Sequence, residues 1–257
     1  MELKLPVEVG EGYVSSSQRI RVLTEYWVRS TAFCPNCGRV LRQFENNKPV
    51  ADFYCGNCWE EYELKSKNGN MGRKVVDGAY ATMIERLTSD SNPNFFFLTY
   101  DKLTLEIRNF LTIPKYFFVP TLIERRKALN PTARRAGWVG CNIVMSSIPD
   151  LGKIFYVQNG VVRSKREILD KWNKTEFVSR TRDVDAKGWL LDVLVCTERI
   201  KKQEFSLNEV YAFEGYLKAK HPLNNNVKAK IRQQLQFLRD KNVLEFLGRG
   251  KYRLINE

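Results

Sequence analysis

Histidine is nearly absent: 257 residues contain one, His221. A single imidazole cannot build a paired-histidine metal site or proton relay, and it leaves a catalytic triad without a spare base. His221 stands just before Pro222 and reads as a residue at a helix end. Long apolar runs are missing too. The longest, such as Phe95 to Leu98 and Val193 to Cys196, have the length of a strand and fall far short of a membrane span. The first residues, MELKLPVEVGEG, carry acids and a proline where a secretory signal needs an apolar stretch, so a soluble, cytoplasmic protein is expected. There is no internal repeat and no low-complexity segment. Acids are scarce relative to bases: 42 Lys and Arg against 29 Asp and Glu give a net charge of +13, which suits a polyanionic partner. Six cysteines in a reducing compartment point to metal binding or simple burial, not to disulfides.

What is present is enough apolar residue, 43% of the chain, for one sizeable core and a small second domain. The expected class is α/β, broadly α+β. From Ser15, SSSQRIRVLTEYWV pairs Ser15 with Gln18 in capping-box spacing, then places Ile20, Leu23 and Trp27 on one helical face. Val50 to Tyr54 and Glu60 to Ser66 read as a hairpin around a Gly/Asn/Cys turn. GAYATMIERL has Tyr80, Met83, Ile84 and Leu87 at helical spacing, and FFFLTY at 95–100 reads as a buried strand. Further strands are expected at Phe110 to Ile113, Tyr116 to Val119 and Ile154 to Val157. The apolar pattern lapses in SRTRDVDAKG, Ser179 to Gly188, taken as a linker that divides a domain of residues 1–182 from one of residues 183–257.

Beyond it, Ser206 and Glu209 form a second capping box ahead of a helix bearing Leu207, Val210, Tyr211 and Leu217. A helix opening near Asn226 carries Val227, Ile231, Leu235 and Leu238 inward, and VLEF, GRG and KYRLI follow as a hairpin with a basic tip. Helix, helix and hairpin make a winged helix, whose second helix would enter the major groove while the wing touches backbone. Lys228, Lys230, Arg232, Gln233, Arg249 and Lys251 are its candidate DNA contacts.

Cys34-Pro-Asn-Cys37 and Cys55-Gly-Asn-Cys58 are two CxxC knuckles seventeen residues apart, the spacing of a four-thiolate zinc site. Gly38 and Gly56 are expected to supply the open backbone that such knuckles need. With all four positions filled by protein, Zn²⁺ would be structural. Cys141 and Cys196 have no partner at useful spacing and read as interior residues.

The second knuckle is bracketed by Asp52 and, further on, by Glu63 and Lys65. Residues two apart on a strand share a face, so Glu63 and Lys65 project together toward Asp52 at the open end of the hairpin. Two converging carboxylates call for a hard cation between them, which makes Asp52 and Glu63 candidate Mg²⁺ ligands and Lys65 the ammonium that orients water or balances phosphate. Asp-x10-Glu-x-Lys, with Pro49 three residues ahead of Asp52, resembles the PD-(D/E)xK nuclease signature, and the helix, hairpin, helix, strand order resembles that superfamily's core. The lone histidine sets aside the HNH type.

The stretches FENNKPVADFYC, EEYELKSKNGN, DGAYATMIER, NPNFFFLTY, PTARRAGWVGCNI and KIRQQLQFLRDK are similar to the DpnI-type methyl-directed restriction endonucleases along essentially the whole chain. The resemblance implies a bacterial type II enzyme, monomeric, that cuts double-stranded GATC only where the adenine carries an N6-methyl group, with a blunt cut between adenine and thymine. It implies Asp52, Glu63 and Lys65 as catalytic residues and Cys34, Cys37, Cys55 and Cys58 as zinc ligands. It also implies Trp138 as a methyl sensor and the winged helix as a second reader of the site. An N6-methyl is an apolar group in the major groove, which a hydrophobic surface such as Trp138 suits, while Arg134 and Arg135 suit phosphates. The residues by themselves support a zinc-stabilised, metal-dependent DNA nuclease. They leave open a non-cleaving zinc and winged-helix regulator, or a structure-selective repair nuclease.

Overall fold

The computed structural model describes residues 1–45, 51–89, 92–181 and 183–255. Val50 and Pro49, invoked above for the hairpin and the nuclease signature, lie outside the described residues. The chain opens with helix α1 (Ser16–Thr31), then strands β1 (Leu41–Gln43), β2 (Phe53–Cys55), β3 (Glu61–Asn68) and β4 (Val75–Ala79), helix α2 (Tyr80–Leu87), and strands β5 (Asn94–Tyr100) and β6 (Ile107–Ile113). Strands β7 (Ile123–Arg125), β8 (Gly140–Ile143), β9 (Ile154–Gln158) and β10 (Val161–Val162) follow, then helices α3 (Lys165–Ser179) and α4 (Val184–Arg199). The last part is β11 (Glu204–Ser206), α5 (Leu207–Tyr211), α6 (Glu214–Lys220), α7 (Val227–Asp240), β12 (Leu244–Gly248) and β13 (Lys251–Leu254).

The expected α/β class holds as a mixed one. Seven strands form the main sheet in the order β1-β2-β3-β5-β6-β9-β10. Among the described residues only β3 and β5 run parallel, joined through β4 and α2, with Glu63 beside Phe95 and Lys65 beside Phe97. Every residue of β5 is buried, because both faces of the sheet are covered. Strand alternation then sorts the side chains. Phe96, Leu98 and Phe110 join Tyr62, Phe53, Tyr156, Leu23 and Trp27 under α1 and α3. Phe95, Phe97, Leu111 and Ile113 join the second core, which includes Val75, Cys141 and Ile143 of the small sheet β4-β8-β7 and Leu190, Leu191 and Leu235 from the C-terminal helices. Since Tyr62 and its neighbour Leu64 face the first core, Glu63 and Lys65 must face the small sheet.

Helix α1 buries Leu23, Trp27 and Val28 as its periodicity requires. Its expected capping box does not form: the Ser15 hydroxyl bonds that of Ser17 at 2.9 Å, and no side chain caps the first backbone N–H groups. Residues 116–119 are not a strand. Pro114 and Pro120 bracket the segment, and the N–H groups of Phe117 and Phe118 turn back to Pro114 and Lys115 in a 3-10 turn. The linker reading also fails over most of its length, because α4 begins at Val184 and contains Gly188, which is buried within it.

The C-terminal segment shows the expected helices and hairpin, with β11-β13-β12 as its sheet. The capping box at Ser206 and Glu209 is present in both directions. The single helix expected there is two, α5 and α6, broken at Ala212 and Phe213. Val227, Ile231, Leu235 and Leu238 of α7 are all buried, and Gly248, Arg249 and Gly250, each with positive φ, turn the wing.

Candidate active site and metal centre

The four cysteines Cys34, Cys37, Cys55 and Cys58 converge, with all their sulfurs within 4.8 Å of one another. Cys34 and Cys58 stand 3.4 Å apart, as do Cys37 and Cys55. Tetrahedral thiolates about 2.3 Å from a zinc ion lie ~3.8 Å from each other, so this cage fits Zn²⁺. Both knuckles use one turn. The N–H of Gly38 reaches back to the Cys34 carbonyl at 2.7 Å, and that of Trp59 to the Cys55 carbonyl at 3.0 Å. Gly38 has φ +72° and Trp59 φ +60°. Gly56 is therefore not the open position expected; it lies under Arg42, and the residue matching Gly38 is Trp59. Burial pushes the Cys34 thiol well up, whereas Cys37, against its own burial, is drawn down to about 7 by the Arg39 N–H and the neighbouring thiols. A buried thiol that resists ionisation needs a cation beside it before it can ligate as thiolate, which is the chemistry Zn²⁺ would supply.

The knuckle cage closes one end of the β2–β3 hairpin, and the carboxylates occupy the other. Asp52 precedes β2; its N–H bonds the Tyr62 carbonyl at 2.9 Å, and its Oδ2 accepts the Leu64 N–H at 2.7 Å. Leu64 lies between Glu63 and Lys65, so the backbone itself ties Asp52 to their strand. Lys65 Nζ lies 2.5 Å from Glu63 Oε1, as two residues on one strand face allow. The same ammonium lies 2.5 Å from Asp77 Oδ1 on β4. Burial raises the Glu63 carboxyl above its ordinary range, with Asp77 and Asp52 pushing the same way against the pull of Lys65. The Lys65 ammonium is held above its ordinary value by Glu63 and Asp77, which outweigh its desolvation. Three carboxylates, Asp52, Glu63 and Asp77, stand around one ammonium in a half-buried recess, an excess of negative groups that a divalent cation would balance. The three do not draw together as the cysteines do; among the described residues only the cysteine group has its ligating atoms gathered within 4.8 Å.

Asp77 was not singled out from the sequence, although a lone acid within VVDGA on a strand half-facing the core is a signal. Arg21 and Glu25 were missed as well. Arg21 Nε pairs with Glu25 Oε1 at 2.5 Å and its other end lies 3.9 Å from Asp52. Glu25 is a buried acid on the apolar face of α1, also holding Gln43 Nε2 at 3.0 Å.

Trp138, Arg134 and Arg135 belong to the loop between β7 and β8. Trp138 is half-buried; Arg135 stacks over its ring at 4.5 Å, and its far edge lies where a Cβ on Gly140 would be, at 2.8 Å. Arg134 is exposed. On α7, Lys228 pairs with Glu214 at 3.4 Å, and Arg232 donates to the Tyr211 hydroxyl at 2.7 Å. Lys230 is half-buried; Gln233 is exposed on the helix, and Arg249 and Lys251 are exposed on the wing. His221 stands at a helix end as expected, as the C-terminal cap of α6, and it is buried against Trp189, ring centroids 4.0 Å apart, with Nε2 3.0 Å from Asp192 Oδ2. Among the described residues no helix is long and apolar enough to cross a membrane.

A mixed α/β body with a four-cysteine cage and a C-terminal helix-turn-helix unit defines a DNA-binding protein built around a metal-type cluster. The comparison with protein families makes this specific: the model described as DpnI, Dam-replacing family, matches residues 1–181, and the Dam-replacing HTH domain model matches residues 185–254. The chain belongs to the DpnI family. That places it among methyl-dependent restriction nucleases, with DNA as its partner.

Proposed function

We propose that the chain is a Mg²⁺-dependent type II restriction endonuclease that cuts duplex DNA at GATC carrying N6-methyladenine, leaving a blunt end between adenine and thymine. The observation that carries this reading is the tie between Asp52 Oδ2 and the Leu64 N–H, which sets one carboxylate beside the Glu63-x-Lys65 face. In this reading residues 1–182 form a PD-(D/E)xK catalytic domain and residues 183–257 a winged-helix domain, acting as a monomer. Asp52 and Glu63 would hold Mg²⁺, which supplies charge at the phosphodiester and acidifies water. Lys65 presents an ammonium to the phosphate oxygens and orients the attacking water for in-line displacement. Cys34, Cys37, Cys55 and Cys58 would hold Zn²⁺ at the closed end of the hairpin, which keeps β2 and β3 in register and thereby keeps Asp52 against Leu64.

Trp138 offers an apolar surface for the N6-methyl in the major groove, with its ring steadied by Arg135. Arg134 and Arg135 would contact phosphates beside it. Lys228, Lys230, Arg232, Gln233, Arg249 and Lys251 would meet the duplex through α7 and the wing, a face whose charge suits a polyanion. The test is incubation of purified protein with adenine-methylated and unmethylated GATC plasmids, with and without Mg²⁺. Cutting of the methylated plasmid alone, and only with Mg²⁺, is expected. Binding without cutting would favour a non-cleaving regulator, and cutting irrespective of methylation a structure-selective nuclease.

A further inference from the structure

The β4 strand contributes a buried acid that neither the nuclease signature nor the reading above uses. Asp77 is 7% exposed at its side chain and holds Lys65 Nζ at 2.5 Å, the same distance as Glu63. Its Oδ1 also accepts the N–H of the following residue, Gly78, at 2.7 Å, which fixes its rotamer. The β4–β8 ladder shifts register between Asp77 and Ala79, and such a bulge re-aims side chains. Gly78 leaves open space at that shift: nothing lies within 4 Å of where its Cβ would stand. Beyond the bulge, Ala79 pairs with Gly140 and the Tyr80 N–H bonds the Val139 carbonyl, so β4 is fastened to the residues that follow Trp138.

We infer that Asp77 is a positioning residue for the cleavage reaction: it clasps the Lys65 ammonium from the small sheet, so that the ammonium touching Glu63 is shared between two carboxylates and held in one place. This rests on the reading of Asp52, Glu63 and Lys65 as the cleaving centre. Two carboxylates compete for one ammonium. Lys65 already touches Glu63 Oε1 at 2.5 Å, and with that carboxylate as its single partner the ammonium would pair with it fully and neutralise it. With two partners at equal distance the charge is shared, and Lys65 is fixed between two strands at one place along the phosphate path. Lysine is a flexible point charge with three donors, so its position is set by what surrounds it and not by its own geometry. The two 2.5 Å contacts supply that setting.

The experiment uses the full-length protein with Asp77→Asn, Lys65→Met, the double variant and Glu63→Ala, each first shown folded by circular dichroism. Asp77→Asn should lower kcat by about 10- to 100-fold, the scale of misplacing a catalytic group, while KM for methylated DNA changes by less than ~3-fold. Lys65 should become more reactive to reductive methylation, read by mass spectrometry in the absence of added metal, while other lysines label as before. Asp77→Glu, which keeps the charge, should restore part of kcat. An Asp77→Asn enzyme that is folded and cuts like the wild type, or one whose Lys65 labels no faster, overturns the proposal. If Asp77→Asn does not fold, Asp77→Glu takes its place, with a reduced kcat at steady KM expected. Failure of both to fold would make Asp77 a purely structural residue and also overturns it. Glu63→Ala separates the two levels: a cleaving Glu63→Ala enzyme sinks the active-site reading itself, whereas a dead Glu63→Ala beside a fully active Asp77→Asn sinks only the clasp.

Discussion

Cys55→Ser tests whether the knuckles hold the hairpin. Cys55 is fully buried at the end of β2, pairs with Leu41 across the β1–β2 ladder and donates its N–H to the Glu60 carbonyl, so it anchors the closed end of the hairpin on two sides. Structural zinc binding contributes about 10–16 kcal/mol in small zinc peptides, and four thiolates sharing it carry ~2.5–4 kcal/mol each. A serine hydroxyl is a poor replacement, since it stays protonated where a thiol ionises. A loss of about 2.5–4 kcal/mol in a chain of this size lowers Tm by roughly 5–15 °C. The assay is a thermal melt of wild-type and Cys55→Ser protein, each with and without a strong zinc chelator. Chelation should destabilise the wild type more than the variant, and cleavage should fall in parallel with zinc content. A Cys55→Ser protein that melts with the wild type, or a wild type indifferent to complete zinc removal, would refute the reasoning.

Other outcomes follow from burial and charge. Phe96 is fully buried and stacked on Tyr62 at 4.6 Å, so Phe96→Ala should cost about 3–5 kcal/mol in denaturant unfolding. A loss below 1 kcal/mol would mean that this core is looser than described. Burial pushes the Glu198 carboxyl to about 7, against the help of the Asp150 N–H at 2.9 Å. The folded state therefore keeps this proton where the unfolded chain has lost it, and the stability it contributes declines as pH rises from about 4.5 to about 7. Glu198→Gln should flatten that decline by at most ~3 kcal/mol, measured by denaturant midpoints at pH 5 and pH 8. Identical pH dependence in both proteins would contradict it. Arg249→Ala at the wing tip should weaken DNA binding evenly across sequences and reduce the slope of log affinity against log salt by about 1, with an unchanged slope placing the wing away from phosphate.

Much of the site could be read from residues close together in the chain. Glu63 and Lys65 meet because strand alternation puts them on one face, and the knuckles converge because CxxC spacing turns two sulfurs inward. What escaped the sequence came from elsewhere. Asp77 reaches Lys65 across two sheets, and Glu25 reaches Asp52 only by way of Arg21. Trp59 takes the left-handed position that a glycine holds in the first knuckle, which composition alone cannot show. Helix α4 was hidden because it is buried on nearly every side, leaving no polar face to mark a period, while its first turn, DVDAKG, looks like a linker. Helix α3 did carry a signal, the Ser164–Glu167 capping box with Ile168, Trp172 and Thr175 inward. The false strand at 116–119 shows the reverse: an apolar run fits a strand until the flanking prolines are weighed.

If Glu63, beside Asp52 and Lys65 on the hairpin, performs cleavage and does not merely bind DNA, removing its carboxylate must stop the cut and spare the binding. Glu63→Ala is measured on methylated GATC duplex. Binding in Ca²⁺ should stay within a few-fold of the wild type while cleavage in Mg²⁺ falls by about a thousandfold or more, the scale for losing a group that stabilises the transition state. A Glu63→Ala protein that still cuts at a near wild-type rate would place the chemistry elsewhere in the molecule.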